Sequence, residues 1–213
     1  MLVFSLVVVA VAAYLLGAVN GSIIVARTLY RQDIRELGSG NAGLTNMYRV
    51  FGLKGAIGTF VIDTLKTAVA VVAAHYWVGH QIEKLIGADG YVIARFFAGF
   101  FAMVGHVMPI WYGFRGGKGV LVCGITAFMI QPLVGALAWI VFILVVAATR
   151  YVSLGSVIAG VIAFPLWTYI FIHNQTATIL AVACGILILC MHIPNINRLI
   201  RGNETKFGAK KQD

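Results

Sequence analysis

The chain has 213 residues, 61% of them hydrophobic and only 11% charged, where soluble domains carry roughly a quarter charged. That balance excludes a water-soluble globular domain and leaves room for one domain, residues 1–213, of membrane-spanning helices with tight connections. The formal charge of +9 would suggest nucleic acid in a soluble protein. Here the bias of Lys and Arg toward the cytoplasmic side of membrane proteins accounts for most of it, so no nucleic-acid partner is expected, although the surplus can also draw anionic substrates.

Apolar runs at about 2–26, 55–79, 92–111, 119–131, 133–149, 154–172 and 176–192 predict an all-α, polytopic membrane bundle of about seven transmembrane helices. The first run has the apolar core of a secretory signal, but no Lys or Arg precedes Arg27, so an uncleaved span is expected. The stretch Gly119 to Thr149 reads as a hairpin broken at Gln131-Pro132. Proline lacks a backbone donor and disfavours helix in the residue before it.

Seven spans with the N-terminus outside put Arg27, Arg31, Arg35, Arg49 and Lys54 in the cytoplasm, followed by Arg115 and Lys118, then Arg150. The tail with Arg198, Arg201, Lys206, Lys210 and Lys211 falls on the same side, and only Lys84 and Arg95 come near the outer face. Six spans would put the basic tail on the wrong side. Gly17, Gly21 and Gly135 suit close helix contact. Cys123, Cys184 and Cys190 lie in apolar stretches without a CxxC or ligand-like histidine pair, so they read as reduced packing residues. No metal site is expected.

The polar loops carry the chemistry. Gly38-Ser39-Gly40-Asn41, with Asn46 and Arg49 beyond it, offers backbone N–H groups, side-chain donors and a guanidinium, the elements of an anion nest. The same residue types also make ordinary turns. Gly116-Gly117-Lys118-Gly119 falls short of a Walker loop: Gly113 stands one residue too near the Gly-Lys pair, and Gly119 takes the place of the magnesium-binding Ser or Thr. A glycine turn with one ammonium at a helix start remains, which suits phosphate without nucleotide specificity. A loop lysine snorkelling to the interface has the same look.

Arg150 with Ser153 and Ser156, and His192 with Asn195, complete four loops expected on one face. Serine also caps helices, and His or Asn also satisfies helix ends. Together they supply many donors and few carboxylates, a pocket for phosphate groups more than for a metal. His106 is a candidate ligand and equally a helix-packing histidine, while Asp63 and Lys66 at i, i+3 inside the second run form a mutually neutralising pair. His75, His80 and His173 carry no motif.

With these residues assembled, the chain resembles the bacterial acyl-phosphate:glycerol-3-phosphate acyltransferase family from Tyr14 to Phe207. The resemblance rests on Asp33-Ile34-Arg35, Gly38 to Asn41 with Thr45-Asn46 and Arg49, Gly105-His106, Gly116 to Val120, Arg150 with Ser153 and Ser156, and His192 to Leu199 with Gly202 and Glu204. Ala18, Leu44 and Leu121-Val122 stand where the family usually has Ser, Ala and Ala-Thr.

The resemblance implies transfer of a fatty acyl group from acyl phosphate to the first hydroxyl of glycerol 3-phosphate, in the bacterial inner membrane with the site facing the cytoplasm. It implies no cofactor, and as partners only the two substrates and membrane lipid, with no obligate protein partner. Acyl phosphate is already activated, so no Ser or Cys nucleophile is required, and orientation plus donors at the developing oxyanion would supply the acceleration. Ser39, Lys118 and His192 are the expected catalytic residues. Ser39 to Asn41 and Arg49 are assigned to acyl phosphate; Lys118, Arg150, Ser153, Ser156, His192 and Asn195 to glycerol 3-phosphate. The hydroxyl proton would go to the substrate's own phosphate or to His192.

Two rivals remain in view. A small-anion transporter also uses glycine-rich sites, but no inverted repeat is visible and the polar clusters lie at one interface. An acyl-CoA-dependent acyltransferase would commonly show His followed by four residues and Asp, a spacing absent after every histidine here.

Overall fold

In lipid every backbone N–H and C=O must be satisfied within the protein, and among the described residues this chain does so with helices and turns alone. The structure, a computed structural model, describes residues 1–208; Lys210 and Lys211 of the basic tail lie outside the described residues. The helices are α1 (Leu2–Gly17), α2 (Gly21–Leu29), α3 (Leu44–Trp77), α4 (Gly79–Ile86), α5 (Asp89–Val107), α6 (Val120–Ile130) and α7 (Pro132–Thr149). α8 (Val152–Val157) runs through a π-helical segment (Ile158–Ala163) into α9 (Phe164–Ile172), and α10 (Gln175–Ile200) ends the bundle.

Each apolar run read from the sequence is mainly helical, but among the described residues only 6 stretches have spanning length; α6 is apolar and has 11 residues. At 1.5 Å per residue α6 covers about 17 Å of a hydrocarbon core about 30 Å thick. The Gln131-Pro132 break is present, with Gln131 extended (φ −147°, ψ 108°) and Pro132 opening α7, in the first turn, where an N–H has no intrahelical acceptor to lose.

Other boundaries differ from expectation. The first run is not one helix but breaks between α1 and α2, and α3 starts at Leu44 instead of about 55, with a kink at Gly52 (φ 65°, ψ −158°). Its polar first turns hid it from a hydropathy reading. α10 continues to Ile200 with Pro194 inside it, beyond the end of the apolar run at about 192. α4 is a short amphipathic helix that an apolar scan passes over.

Close crossings use the small residues. A Cβ at Gly17 would overlap the Ala102 backbone of α5, one at Gly105 the Tyr14 carbonyl of α1, and one at Gly135 the Phe128 backbone of α6. Without a hydrophobic drive between helices in lipid, such approach gives the van der Waals contact that holds them. Phe96, Phe164 and Met103 fill the centre.

The break between α1 and α2 frees backbone groups that α3 satisfies. Lys66 Nζ donates to the Val19 carbonyl oxygen at 2.7 Å, and Asp63 Oδ1 accepts from Gly21 N–H at 3.0 Å. Asn20, fully buried, caps α2 by accepting from Ile23 N–H and donates to the Ala42 carbonyl oxygen at 3.3 Å. The Asp63–Lys66 pair, 2.7 Å apart, is thus a clamp on an interrupted span as well as a neutral pair.

Candidate active site

The loop after α2 is shaped by Asp33. Its carboxylate accepts from Arg35 N–H, from the Arg35 guanidinium and from Arg27. The Arg35 bonds, reinforced by Arg27, hold this carboxyl well below the usual carboxylate range despite partial burial. Arg35 also donates to the Tyr112 carbonyl oxygen at 2.7 Å, which ties this loop to the one before α6. Past this clasp the chain turns at Gly38 (φ 59°), where a Cβ would collide with Asn46 Oδ1. Asn46 accepts from Ser39 N–H at 2.9 Å and donates to the Leu37 carbonyl oxygen, so it sets the turn instead of waiting for ligand.

The second loop is laid on the end of α5. Gly116 N–H donates to the Val107 carbonyl oxygen and Gly117 N–H to that of His106, both at 3.1 Å. α6 opens directly after Gly119 (φ 78°), which lies at the wall of a cavity.

That cavity has a volume of about 510 Å³, within the ordinary range for small-ligand sites. From the first loop it is lined by Ser39, Gly40 and Asn41, from the start of α3 by Asn46 and Arg49, and from the second loop by Lys118 and Gly119. His106 reaches it from α5, Ser153 and Ser156 from α8, and His192 and Asn195 from α10. The four polar segments therefore meet in one space. Gly38, Gly116 and Gly117 stand behind the lining and shape it.

Arg150 takes a different place. It closes α7 in the left-handed conformation (φ 63°), accepts from Phe207 N–H at 2.7 Å and donates to the Phe207 carbonyl oxygen at 3.0 Å. Phe207 in turn stacks on Tyr48. Residues 203–207 thereby form a strap that carries Glu204 and Thr205 to the cavity wall.

Sequence reasoning left Asp63, Thr45, Arg198, Glu204 and Thr205 out of the site, and all five line the cavity. Glu204 accepts from Asn195 Nδ2 at 2.6 Å and from Arg198 Nε at 2.7 Å. Burial raises its pKa, but these bonds outweigh burial and leave it lowered. Its place in a recognisable polar segment was the available signal; looking like a tail residue masked it.

Lys118 Nζ donates to Asn195 Oδ1 at 2.5 Å. Burial, with Arg198 and Arg49 adding to it and Glu204 opposing, lowers the Lys118 pKa to about 8. His192 Nδ1 lies 2.8 Å from the Ile188 carbonyl oxygen, an acceptor only, so Nδ1 carries the proton and Nε2 presents a lone pair. Asp63 is matched by Lys66 and Glu204 by Arg198. Among the described residues Arg49 and Lys118 have no carboxylate partner within ion-pair distance, so the cavity offers two cations, several neutral donors and one histidine acceptor. That set suits dianionic phosphate groups.

Residues 7–202 match the family described as glycerol-3-phosphate acyltransferase. The chain belongs to that family. Its relatives include the glycerol-3-phosphate acyltransferase of Clostridioides difficile (strain 630), 39% identical over 99% of each chain. That of Finegoldia magna is 36% identical, with 95% of this chain and 96% of the relative covered. Among solved structures, the crystal structure of PlsY, an integral membrane glycerol 3-phosphate acyltransferase, in its glycerol 3-phosphate form superposes with a TM-score of 0.83 at 33% identity over 96% of both chains. Its lysophosphatidic acid form gives 0.81 at 31% identity over the same shares. The all-helical membrane architecture of this family member is thus shared by the solved acyltransferase over nearly its whole length.

Proposed function

We propose that this acyltransferase moves a fatty acyl group from acyl phosphate to the sn-1 hydroxyl of glycerol 3-phosphate, giving lysophosphatidic acid and phosphate for phospholipid synthesis at the cytoplasmic face of the bacterial inner membrane. The observation that carries this reading is a single cavity in which two carboxylate-free cations come from different segments, Arg49 from the start of α3 and Lys118 from the loop before α6. Two phosphorylated molecules held side by side need such a pair. Acyl phosphate is assigned to Ser39, Gly40, Asn41 and Arg49, and glycerol 3-phosphate to Lys118, Ser153, Ser156, His192 and Asn195, with Arg150 acting through the strap.

An apolar crease adjoins the polar cavity. Val120, Trp139 and Phe142 belong to both, and Cys123, Gly124, Ala159 and Gly160 extend it between the helices. It is the natural exit for an acyl chain whose phosphate lies in the cavity. The hydroxyl oxygen of glycerol 3-phosphate attacks the acyl carbonyl carbon, the carbonyl–phosphate bond breaks, and the hydroxyl proton passes to phosphate. Orientation and fixed donors lower the barrier without a covalent enzyme intermediate.

The His192 tautomer favours a second path for that proton, since Nε2 is an acceptor in the cavity. Turnover of His192→Gln that stays near wild type over a wide pH range rejects the histidine path. The overall reading is tested by phosphate release from palmitoyl phosphate in detergent, with and without glycerol 3-phosphate, beside palmitoyl-CoA and Lys118→Ala. Release that depends on glycerol 3-phosphate is expected; equal use of the thioester overturns the donor. Orientation is tested by an impermeant thiol label on Lys206→Cys, expected to react only in inside-out vesicles.

A further inference from the structure

His106 is the cavity group that this chemistry leaves without a task. It is 4% exposed yet lines the cavity. Its Nδ1 lies 3.0 Å from Lys66 Nζ. An ammonium has three protons and no lone pair. Of these, one reaches the Val19 carbonyl oxygen at 2.7 Å, one reaches Asp63 Oδ1 at 2.7 Å, and the third has His106 Nδ1 as its acceptor. Asp63 Oδ1 itself stands 3.7 Å from Nδ1, beyond hydrogen-bond length. Nδ1 is therefore the bare nitrogen, and the ring proton sits on Nε2.

Nε2 lies beside Gly117, where a Cβ would overlap it and crowd the Ala42 carbonyl oxygen. The absent side chain keeps that ring edge open at the junction of the two glycine loops. Among the described residues Nε2 has no hydrogen-bond partner and is not one of the sealed polar atoms, so this nearly buried ring keeps one donor open toward the cavity that it lines.

We propose that His106 Nε2–H is a fixed neutral donor to a phosphoryl oxygen of a substrate in this cavity, with Lys66 and Asp63 as positioning residues that lock its tautomer. The assignment rests on the function proposed above for the identity of the substrate, and on geometry alone for the donor. It separates the two cavity histidines: Lys66 forces His106 to give a hydrogen bond, while the Ile188 carbonyl oxygen leaves His192 to accept one.

The test uses the full chain in detergent with ¹⁵N-labelled histidine, the His106 signals being those lost in His106→Gln. An unprotonated Nδ1 and a protonated Nε2 whose resonance moves on addition of inorganic phosphate are expected. A protonated Nδ1, or an Nε2 signal indifferent to phosphate, overturns the proposal. A second arm compares His106→Gln, whose amide reaches toward the Nε2 position, with His106→Asn, whose amide stays near Nδ1.

The glutamine variant should keep kcat/KM within about threefold of wild type, and the asparagine variant should lose about tenfold to a hundredfold. The substrate whose KM rises, acyl phosphate or glycerol 3-phosphate, identifies the phosphoryl group. The reverse ranking would reduce His106 to a partner of Lys66 and defeat the donor role. If neither variant folds, the wild-type spectrum decides. A phosphate-dependent shift without glycerol 3-phosphate turnover would remove the enzyme reading and keep the donor; turnover without the shift would do the opposite.

Discussion

Helix α5 joins two polar regions of very different character. His106 lies at the cavity, while Arg95 and Asp89 lie about 17 and 25 Å back along the helix axis. At that far end Arg95 donates to the Tyr91 and Met129 carbonyl oxygens, Asn174 donates to Asp89 at 2.7 Å, and His80 meets Glu83 at 3.1 Å. Those polar groups are satisfied by one another or by backbone. At the cavity end Arg27 and Arg35 share Asp33, Lys66 has Asp63 and Arg198 has Glu204, yet Arg49 and Lys118 face open space with only neutral partners. The presence of cations in a membrane protein is a poor signal of a site; charge left without countercharge at a cavity wall is a good one.

The largest test of that contrast is Lys118→Ala. Loss of a preorganised cationic donor should cut turnover by about 10²–10³-fold, with helicity unchanged by circular dichroism. The pH profile adds a sign. With the Lys118 pKa at about 8, the empty site loses its ammonium as pH rises past that value, so kcat/KM for glycerol 3-phosphate should fall. Stability should move oppositely between about pH 8 and the ordinary lysine value near 10.4, because there the unfolded chain binds a proton that the folded chain has released. Parallel loss of activity and stability would break the assignment.

Glu204→Gln should act less severely. It keeps the shape of the strap but removes the charge that faces Arg198, and it takes away the one influence that raises the Lys118 pKa. Activity at pH 7 should drop about tenfold, as expected for one charge-assisted bond. The alkaline limb should shift to lower pH than in the wild type. A profile that shifts upward would show that Glu204 does not act on Lys118.

Much of this was readable beforehand, and the failures have physical causes. Hydropathy marks each apolar run, and the Gln131-Pro132 break follows from proline chemistry alone. The polar loops were visible because Gly, Ser, Asn and cations cluster there against an apolar background. What hydropathy cannot show is a helix whose first turns are polar, so the start of α3 at Leu44 was placed too late. It cannot show a half-length helix either; α6 reads as an ordinary apolar run, and its 11 residues end at the extended Gln131. Asp63 and Lys66 were read as a pair, but their grip on the interrupted first span depends on contacts more than 40 residues apart in sequence. Arg150 resembled a ligand because a left-handed cap that binds a distant carbonyl has no local signature.

Arg35→Lys probes the junction between the loops with an intermediate effect. Lysine keeps the charge but cannot hold Asp33 through two nitrogens while reaching the Tyr112 carbonyl oxygen. The Ser39 turn and the Lys118 turn would then drift relative to each other. KM should rise about threefold for both substrates, with a smaller change in kcat. A change confined to kcat would place Arg35 nearer the chemistry than its contacts indicate.

The smallest effect belongs to the far end, and its smallness is the point. Asn174 Oδ1 accepts from Ala177 N–H at 2.9 Å and so caps α10, while its amide reaches Asp89. Asn174→Ala removes both bonds. Losing the cap should cost about 1 kcal/mol of stability, seen as a drop of about 2–4 °C in the thermal midpoint. Turnover per folded molecule should stay within about twofold of wild type, because α10 is held near the cavity by His192 and Asn195, about 27 and 32 Å further along its axis. A turnover loss as large as that of Glu204→Gln would mean that capping at one end of α10 is transmitted to the cavity at the other. The self-satisfied end would then be part of the working site, and the division between the two regions would fail.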